Sequence, residues 1–306
     1  MTRAAVLGHP ITHSLSPVLH RAAYAELGLA GWCYAAVDCT GEHLPDFLAS
    51  LDPTWAGLSL TMPLKKVVIP LLEAVSPLAA AVGAVNTVTF PAGRAPDGAI
   101  GDNTDVHGIV AALAEAGVTA AKRATILGGG ATAASAVAAL HELGCRDPLL
   151  RVRSAERARE TLEAADRLGA RPVTRPLAQA WTDLEDGVAG DGLDTGEDGE
   201  DERVEVVIST VPIGASADLA DALDAALAAR HAGPPRLPVL LDVVYAPWPT
   251  PLAGAWARHG GVAVGGLALL VHQAVEQVRL MTGRPGPLAA MRAAGELELA
   301  RRPAAD

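Results

Sequence analysis

The stretch Arg123-Ala-Thr-Ile-Leu-Gly-Gly-Gly-Ala-Thr-Ala133 decides the fold. A short apolar run passes into Gly128-Gly129-Gly130, and an alanine-rich helical pattern opens at once with Ala131 and Thr132 and continues to residue 143. This reads as strand, tight turn, helix, and it fits the spacing G-x-G-x-x-A. Glycines at such a turn let the backbone approach a pyrophosphate, whose charge is met by the exposed N–H groups and the dipole of the helix. The same pattern can serve packing alone, so its surroundings carry weight.

Downstream, strand-like runs at 148–153, 172–175, 205–210, 239–245 and 262–264 alternate with helical patterns at 154–168, 177–184, 218–230 and 250–259. Such alternation predicts a mainly parallel sheet. At the end of the second strand, where an acidic residue would hold the ribose hydroxyls of NAD, the chain reads Val152-Arg153-Ser154-Ala155-Glu156-Arg157. Two guanidinium groups one turn apart, with a hydroxyl beside the first, suit the 2′-phosphate of NADP. The alternatives are that the arginines solvate a helix start, or that Glu156 reaches the ribose.

Upstream lies a second α/β unit, with strands expected at 3–8, 32–38, 57–61, 84–90 and 98–101 and helices at 16–28, 42–51, 64–72, 77–83 and 105–117. Polar residues collect where its apolar runs end. His13-Ser14-Leu15-Ser16-Pro17 offers two alternate hydroxyls at a helix start. They could hold a carboxylate, or Ser16 could cap the helix. Ser59 and Thr61 share one face of a strand, with Lys65 one turn into the next helix, and Asn86-Thr87 interrupts another apolar run. Gly101-Asp102-Asn103-Thr104-Asp105 stands at a strand end, where open α/β sheets bind ligands; Asp102, Asn103 and Thr104 are equally good caps for the helix that follows. Two further helices, 267–282 and 287–301, have no strand after them and are free to return to the first unit.

Taken together, His13-Ser-Leu-Ser-Pro17, Leu60-Thr-Met-Pro-Leu-Lys65, Ala84-Val-Asn-Thr87, Gly101-Asp-Asn-Thr-Asp105 and the glycine loop, in this order and spacing, resemble shikimate dehydrogenase. Asp242-Val-Val-Tyr245 and His272-Gln273 extend the likeness to nearly the whole chain. The resemblance implies a substrate-binding and catalytic domain at 1–103 and 264–306, and a Rossmann-type dinucleotide-binding domain at 104–263. It implies NADP-dependent reduction of 3-dehydroshikimate to shikimate, with Lys65 and Asp102 as the catalytic pair. Ser14 and Ser16 would take the substrate carboxylate. Ser59, Thr61, Asn86, Asp102 and Gln273 would face the ring hydroxyls, and Tyr245 the nicotinamide end. Gly128, Gly129, Gly130, Ala131, Thr132, Arg153, Ser154, Arg157, Thr210 and Gly266 would hold the cofactor.

The sequence departs from the family pattern at Ser59, where many relatives carry asparagine, at Ala131 and Ala268, where glycine is frequent, and at Val152-Arg153-Ser154, which stands for Asn-Arg-Thr. Rival readings are an NAD-dependent quinate/shikimate dehydrogenase and a relative that binds without turnover. The presence of both Lys65 and Asp102 argues against the latter.

Composition narrows the remaining classes. Half of the 306 residues are apolar but only 3% are aromatic, so the core has to be built from alanine, valine and leucine. The formal charge of −11 is almost wholly accounted for by residues 183–202, which hold ten acidic and no basic residues. That stretch reads as a surface excursion without fixed structure. No basic face points to nucleic acid. Cys33, Cys39 and Cys145 have no metal-type spacing, and no metal is expected. Without a signal-type segment or a run of about 18 apolar residues, the expectation is a cytoplasmic protein, off the membrane, acting on a small molecule as monomer or homodimer.

Overall fold

The computed structural model describes residues 1–181, 204–229 and 237–302. The acidic stretch 183–202 and the last part of the helix expected at 177–184 lie outside them. The chain divides into two compact units, Met1–Ile109 with Ala268–Asp306, and Val110–Leu267.

The first unit opens with β1 (Thr2–Gly8), α1 (Ser16–Glu26), β2 (Trp32–Asp38), α2 (Leu44–Ala49), β3 (Trp55–Leu60) and α3 (Leu64–Val67). It continues through β4 (Ala74–Val75), α4 (Pro77–Val82), β5 (Thr87–Thr89) and β6 (Ile100–Asp102) to the start of α5 (Asp105–Glu115). The helix expected over 64–72 stops at Val67 and becomes a 3-10 turn, Ile69–Leu71. Pro70 has no N–H to continue the helical ladder.

The strands form one sheet in the order β2-β1-β3-β5-β6-β4. β1 runs parallel to β2 and β3, whereas β5 is antiparallel to both β3 and β6. The link from β5 to β6 holds no helix and is too short for a parallel crossover. In β1, Ala5 and Leu7 lie in one apolar cluster and Ala4 and Val6 in another, so this strand is buried on both faces. Across the sheet the register sets Ser59 opposite Thr87, and Thr87 opposite Asp102. A row of polar groups therefore crosses three strands.

The second unit holds β7 (Ala124–Leu127), α6 (Ala131–Glu142), β8 (Leu149–Val152), α7 (Ala155–Leu168), β9 (Val173–Pro176), β10 (Val206–Ser209), α8 (Ser216–Ala229), β11 (Val239–Asp242), α9 (Pro251–Arg258) and β12 (Ala263–Gly265). Its sheet, β12-β11-β10-β7-β8-β9, is parallel throughout. Counted from β7, this is the doubly wound order 3-2-1-4-5-6, with the strand order reversing between β7 and β10. Alanine makes α6 compact: Ala133, Ala134, Ala136, Ala138 and Ala139 are all buried.

The chain leaves the first unit within α5 and returns within α10 (Gly266–Thr282), followed by α11 (Leu288–Arg301). A Cβ at Gly108 would come within 2.8 Å of the Leu269 carbonyl oxygen, so the first turns of α5 and α10 are packed together. Arg284 donates to the Leu27 carbonyl at 3.0 Å, and Arg302 to that of His13 at 2.9 Å. Both bonds tie the returning segment to the ends of α1. Among the described residues, no helix is long and apolar enough to cross a membrane.

Candidate active site

Asn86 organises the polar cluster of the first unit. Its Oδ1 accepts from the Thr104 backbone N–H at 2.8 Å, and its Nδ2 donates to Asp105 Oδ1 at 2.8 Å. A backbone amide can only donate and a carboxylate can only accept, so the orientation of the Asn86 amide is determined by its neighbours. The other oxygen of Asp105 receives the Lys65 ammonium at 2.5 Å. These two side chains are 19% and 10% exposed, so the pair is largely withdrawn from water and yet open on one side. Gln273 joins through Oε1, which accepts from Asn86 Nδ2 and Thr104 Oγ1.

This corrects the pairing of Lys65 with Asp102. Asp102 is the last residue of β6, and its Oδ1 accepts from Ser76 Oγ and from the Asn103 N–H, each at 2.7 Å. Lys65 meets Asp105 instead. A side chain within the strand bonds sideways to its neighbours, whereas Asp105, beyond the carboxyl end of β6, stands where ligands bind in such sheets.

Ser59 also departs from expectation. It is 4% exposed, accepts from Tyr34 Oη at 2.6 Å and donates to Gln277 Oε1 at 2.8 Å. Its hydroxyl is thus committed inside the protein rather than to a ring hydroxyl. Gln277, which the motifs did not single out, is nearly fully buried and sits one turn beyond Gln273 on α10. Thr61 is half-buried just past β3.

At the other helix start, α1 begins at Ser16, and its cap position, Leu15, supplies no side-chain bond. Ser16 therefore does not cap the helix. Ser14 Oγ accepts from the Ser16 N–H at 3.3 Å, which gathers both hydroxyls at the amino end of α1. Behind them, His20 Nδ1 bonds the Ser16 carbonyl at 2.9 Å, and its ring stacks on Tyr34 at 3.9 Å. Burial lowers the pKa of His20 to about 4, against the opposing effect of that backbone bond. The ring is neutral at ordinary pH.

In the second unit the glycine loop separates three needs. Gly128 has φ +110° and its Cβ would strike Thr210 Oγ1 at 2.3 Å, so this position requires glycine. At Gly129 an added Cβ would crowd Val152 and α7. At Gly130 it would meet nothing within 4 Å. That open space lies at the N-terminus of α6, whose cap residue supplies no side-chain bond. Uncapped N–H groups beside open space fit an anionic pyrophosphate.

Arg153 and Arg157 are exposed, and Ser154 caps α7 by accepting from the Arg157 N–H at 3.4 Å. Thr210, expected to touch the cofactor, donates its hydroxyl to the Leu127 carbonyl at 2.9 Å and forms the wall against Gly128. At Gly266 a Cβ would lie 2.1 Å from the Val243 carbonyl oxygen, so this glycine serves close backbone packing. Ala131 and Thr132, in the first turn of α6, and Tyr245, beyond β11, are all half-buried. Asp242 is buried, receives Thr250 Oγ1 at 2.7 Å, and has its pKa raised by burial. It holds the turn before α9.

Residues 6–88 match the family model of the shikimate dehydrogenase substrate binding domain, and residues 266–294 that of the shikimate 5'-dehydrogenase C-terminal domain. A shikimate dehydrogenase (NADP(+)) of Symbiobacterium thermophilum is 34% identical over 301 residues, covering 97% of this chain and 95% of the relative. Among solved structures, a shikimate 5-dehydrogenase from Mycobacterium fortuitum is 40% identical with a TM-score of 0.77, covering 96% of this chain and 97% of its own. The Thermus thermophilus enzyme in complex with NADP(H) and shikimate is 30% identical with a TM-score of 0.75, covering 98% of this chain and all of its own.

Proposed function

The chain belongs to the shikimate dehydrogenase family, and on that premise we propose that it catalyses the reversible NADP-dependent reduction of 3-dehydroshikimate to shikimate. The observation that carries this reading is the Lys65–Asp105 pair, built into the Asn86–Thr104–Gln273 network at a strand end. The dinucleotide is held by the backbone of Gly128, Gly129, Gly130, Ala131 and Thr132, with Arg153, Ser154 and Arg157 at its 2′-phosphate. When bound, its nicotinamide supplies the hydride.

Reduction of a ketone develops negative charge on the carbonyl oxygen. Lys65 Nζ, with one donor committed to Asp105, has N–H groups left to stabilise that oxygen and then protonate it. In the oxidative direction the same nitrogen takes the hydroxyl proton. Asp105 holds the ammonium in place and, through Asn86, is itself held. Ser14 and Ser16 bind the substrate carboxylate at the amino end of α1. Thr61, Asn86 and Gln273 bind the ring hydroxyls, and Tyr245 lies to the nicotinamide side. The reading takes the protein as cytoplasmic, either monomer or homodimer.

Initial rates with shikimate and with quinate, each with NADP and NAD, test the proposal. Turnover of shikimate with NADP well above the other combinations is expected. Preference for quinate or for NAD would replace the reading with the quinate/shikimate one, and absence of turnover in all four would remove it.

A further inference from the structure

Behind Asn86 the hydrogen bonds continue, and all of them run one way. Gln277 Nε2 lies 3.3 Å from the Asn86 backbone carbonyl, which can only accept, so the amide nitrogen faces Asn86 and the amide oxygen faces Ser59. The Ser59 hydroxyl must then donate to Gln277, and Tyr34 must donate to Ser59. Burial raises the pKa of Tyr34 far out of reach, which keeps it a donor. On the other side Gln277 Nε2 also donates to Thr87 Oγ1 at 3.0 Å, and Thr87 passes its own proton to Asn86 Oδ1 at 2.8 Å. Asn86 Nδ2 is thereby left to face Asp105.

We infer that Gln277 is a positioning residue: by donating to Thr87 and to the Asn86 backbone, it sets the Asn86 amide and hence the Asp105 carboxylate that holds Lys65. The inference rests on the proposed reaction. Tyr34, Ser59, Gln277 and Thr87, the links behind Asn86, are all buried, so none of these four has to touch substrate. Dispersed over β2, β3, β5 and α10, the relay fixes by side-chain chemistry a geometry that no single element fixes alone. Buried chains of this kind strengthen one another and break together.

The test uses Gln277→Met, which keeps the length of the side chain and removes its amide, and Thr87→Val, which keeps the shape and removes one hydroxyl. Shikimate oxidation by the parent with NADP is measured first; its absence would fail the functional reading before any variant is made. Variant-to-parent ratios bear on Gln277 alone. Expected is a loss of about tenfold in kcat for Gln277→Met with KM for shikimate within about threefold, the size of one or two neutral hydrogen bonds. The double variant should lose about as much as the worse single one, because both break the same chain.

A Gln277→Met enzyme with kcat within about twofold of the parent would overturn the inference, and so would losses that multiply in the double variant. Should Gln277→Met not fold, Thr87→Val decides: a kcat lowered by about threefold or more at unchanged KM supports the relay, and an unchanged kcat overturns it.

Discussion

The starts of α5 and α6 each stand at the carboxyl end of a strand, and they are furnished in opposite ways. Around α5 every position from Asp102 to Asp105 carries a polar side chain with a named partner, and Asn103 Oδ1 accepts the Asp105 N–H at 3.0 Å. Around α6 there are glycines and alanines, an open space at Gly130, and no side-chain cap. On the proposed function, the difference follows from what each would hold. A proton has to be delivered at one atom, which requires a charged side chain locked by its neighbours. A pyrophosphate requires only several N–H groups and no obstruction.

The sharpest way to break this contrast is at the ion pair. Lys65→Ala should lower kcat by about 10² or more, since the ammonium acts where charge develops. Asp105→Asn should cost at least about tenfold, as the lysine loses the carboxylate it pairs with, while Asp102→Asn should stay within about fivefold because Asp102 bonds Ser76 and backbone. Steady-state kinetics of the three variants rank the carboxylates. An Asp102→Asn enzyme slower than Asp105→Asn would reverse the assignment.

Substitution of the glycines probes the other side. Gly128→Ala should destabilise by about 3 kcal/mol, since the left-handed backbone and the contact with Thr210 both oppose a methyl group. Gly130→Ala should cost less than about 1 kcal/mol while weakening NADP several-fold, because its methyl group would enter the space kept for the ligand. Denaturant unfolding and NADP titration of both variants separate fold from function. Equal loss of stability in the two would mean that Gly130 is a packing residue like Gly129.

The same contrast explains what was legible in the sequence. Glycine loops and alternating strands are local signals, so the doubly wound second sheet and the passage from β7 to α6 follow from consecutive residues. The polar cluster is not local. Gln277 meets Ser59 across 218 positions, and no periodicity on α10 distinguishes it from a solvated glutamine. The Asp102–Asp105 confusion has the same origin: both carboxylates lie in one short motif, and only the partners, Ser76 for one and Lys65 for the other, tell them apart. The two-residue strand β4 was too short to carry a pattern at all.

The start of α1 lies between the two extremes, with hydroxyls in front and a neutral ring behind. His20 titrates near pH 4 when folded against 6.5 as its ordinary value. Above about 6.5 neither state holds the proton; between 6.5 and 4 the unfolded chain binds it and the folded one does not, so stability falls as pH falls. The full difference is about 3 kcal/mol, complete near pH 4. His20→Phe keeps a ring against Tyr34 and should flatten that part of the profile. Urea unfolding of parent and variant at several pH values reads it directly, and parallel profiles would show that His20 takes up its proton as readily folded as unfolded.

The smallest expected effect concerns the exposed end of the cofactor site, where water competes. Arg153 and Arg157 flank the start of α7, and Ser154, whose oxygen caps that helix, keeps its O–H as a neutral donor, so the charge of a 2′-phosphate there is met by the guanidinium groups. A charge-assisted bond to phosphate is stronger than a neutral one, but exposure reduces it. A preference of about tenfold in kcat/KM for NADP over NAD is therefore expected, the equivalent of about 1.4 kcal/mol. The double substitution Arg153→Ala with Arg157→Ala should remove the preference by weakening NADP, leaving NAD nearly unchanged, and should leave the melting temperature alone because neither side chain is buried. Raising the salt concentration should reduce the parent's preference in the same direction, since exposed charges are screened. A double variant that still favours NADP would place the phosphate elsewhere on the second unit, and one that loses both cofactors equally would show that these arginines hold the pyrophosphate, which would end the contrast between a bare backbone and a side-chain site.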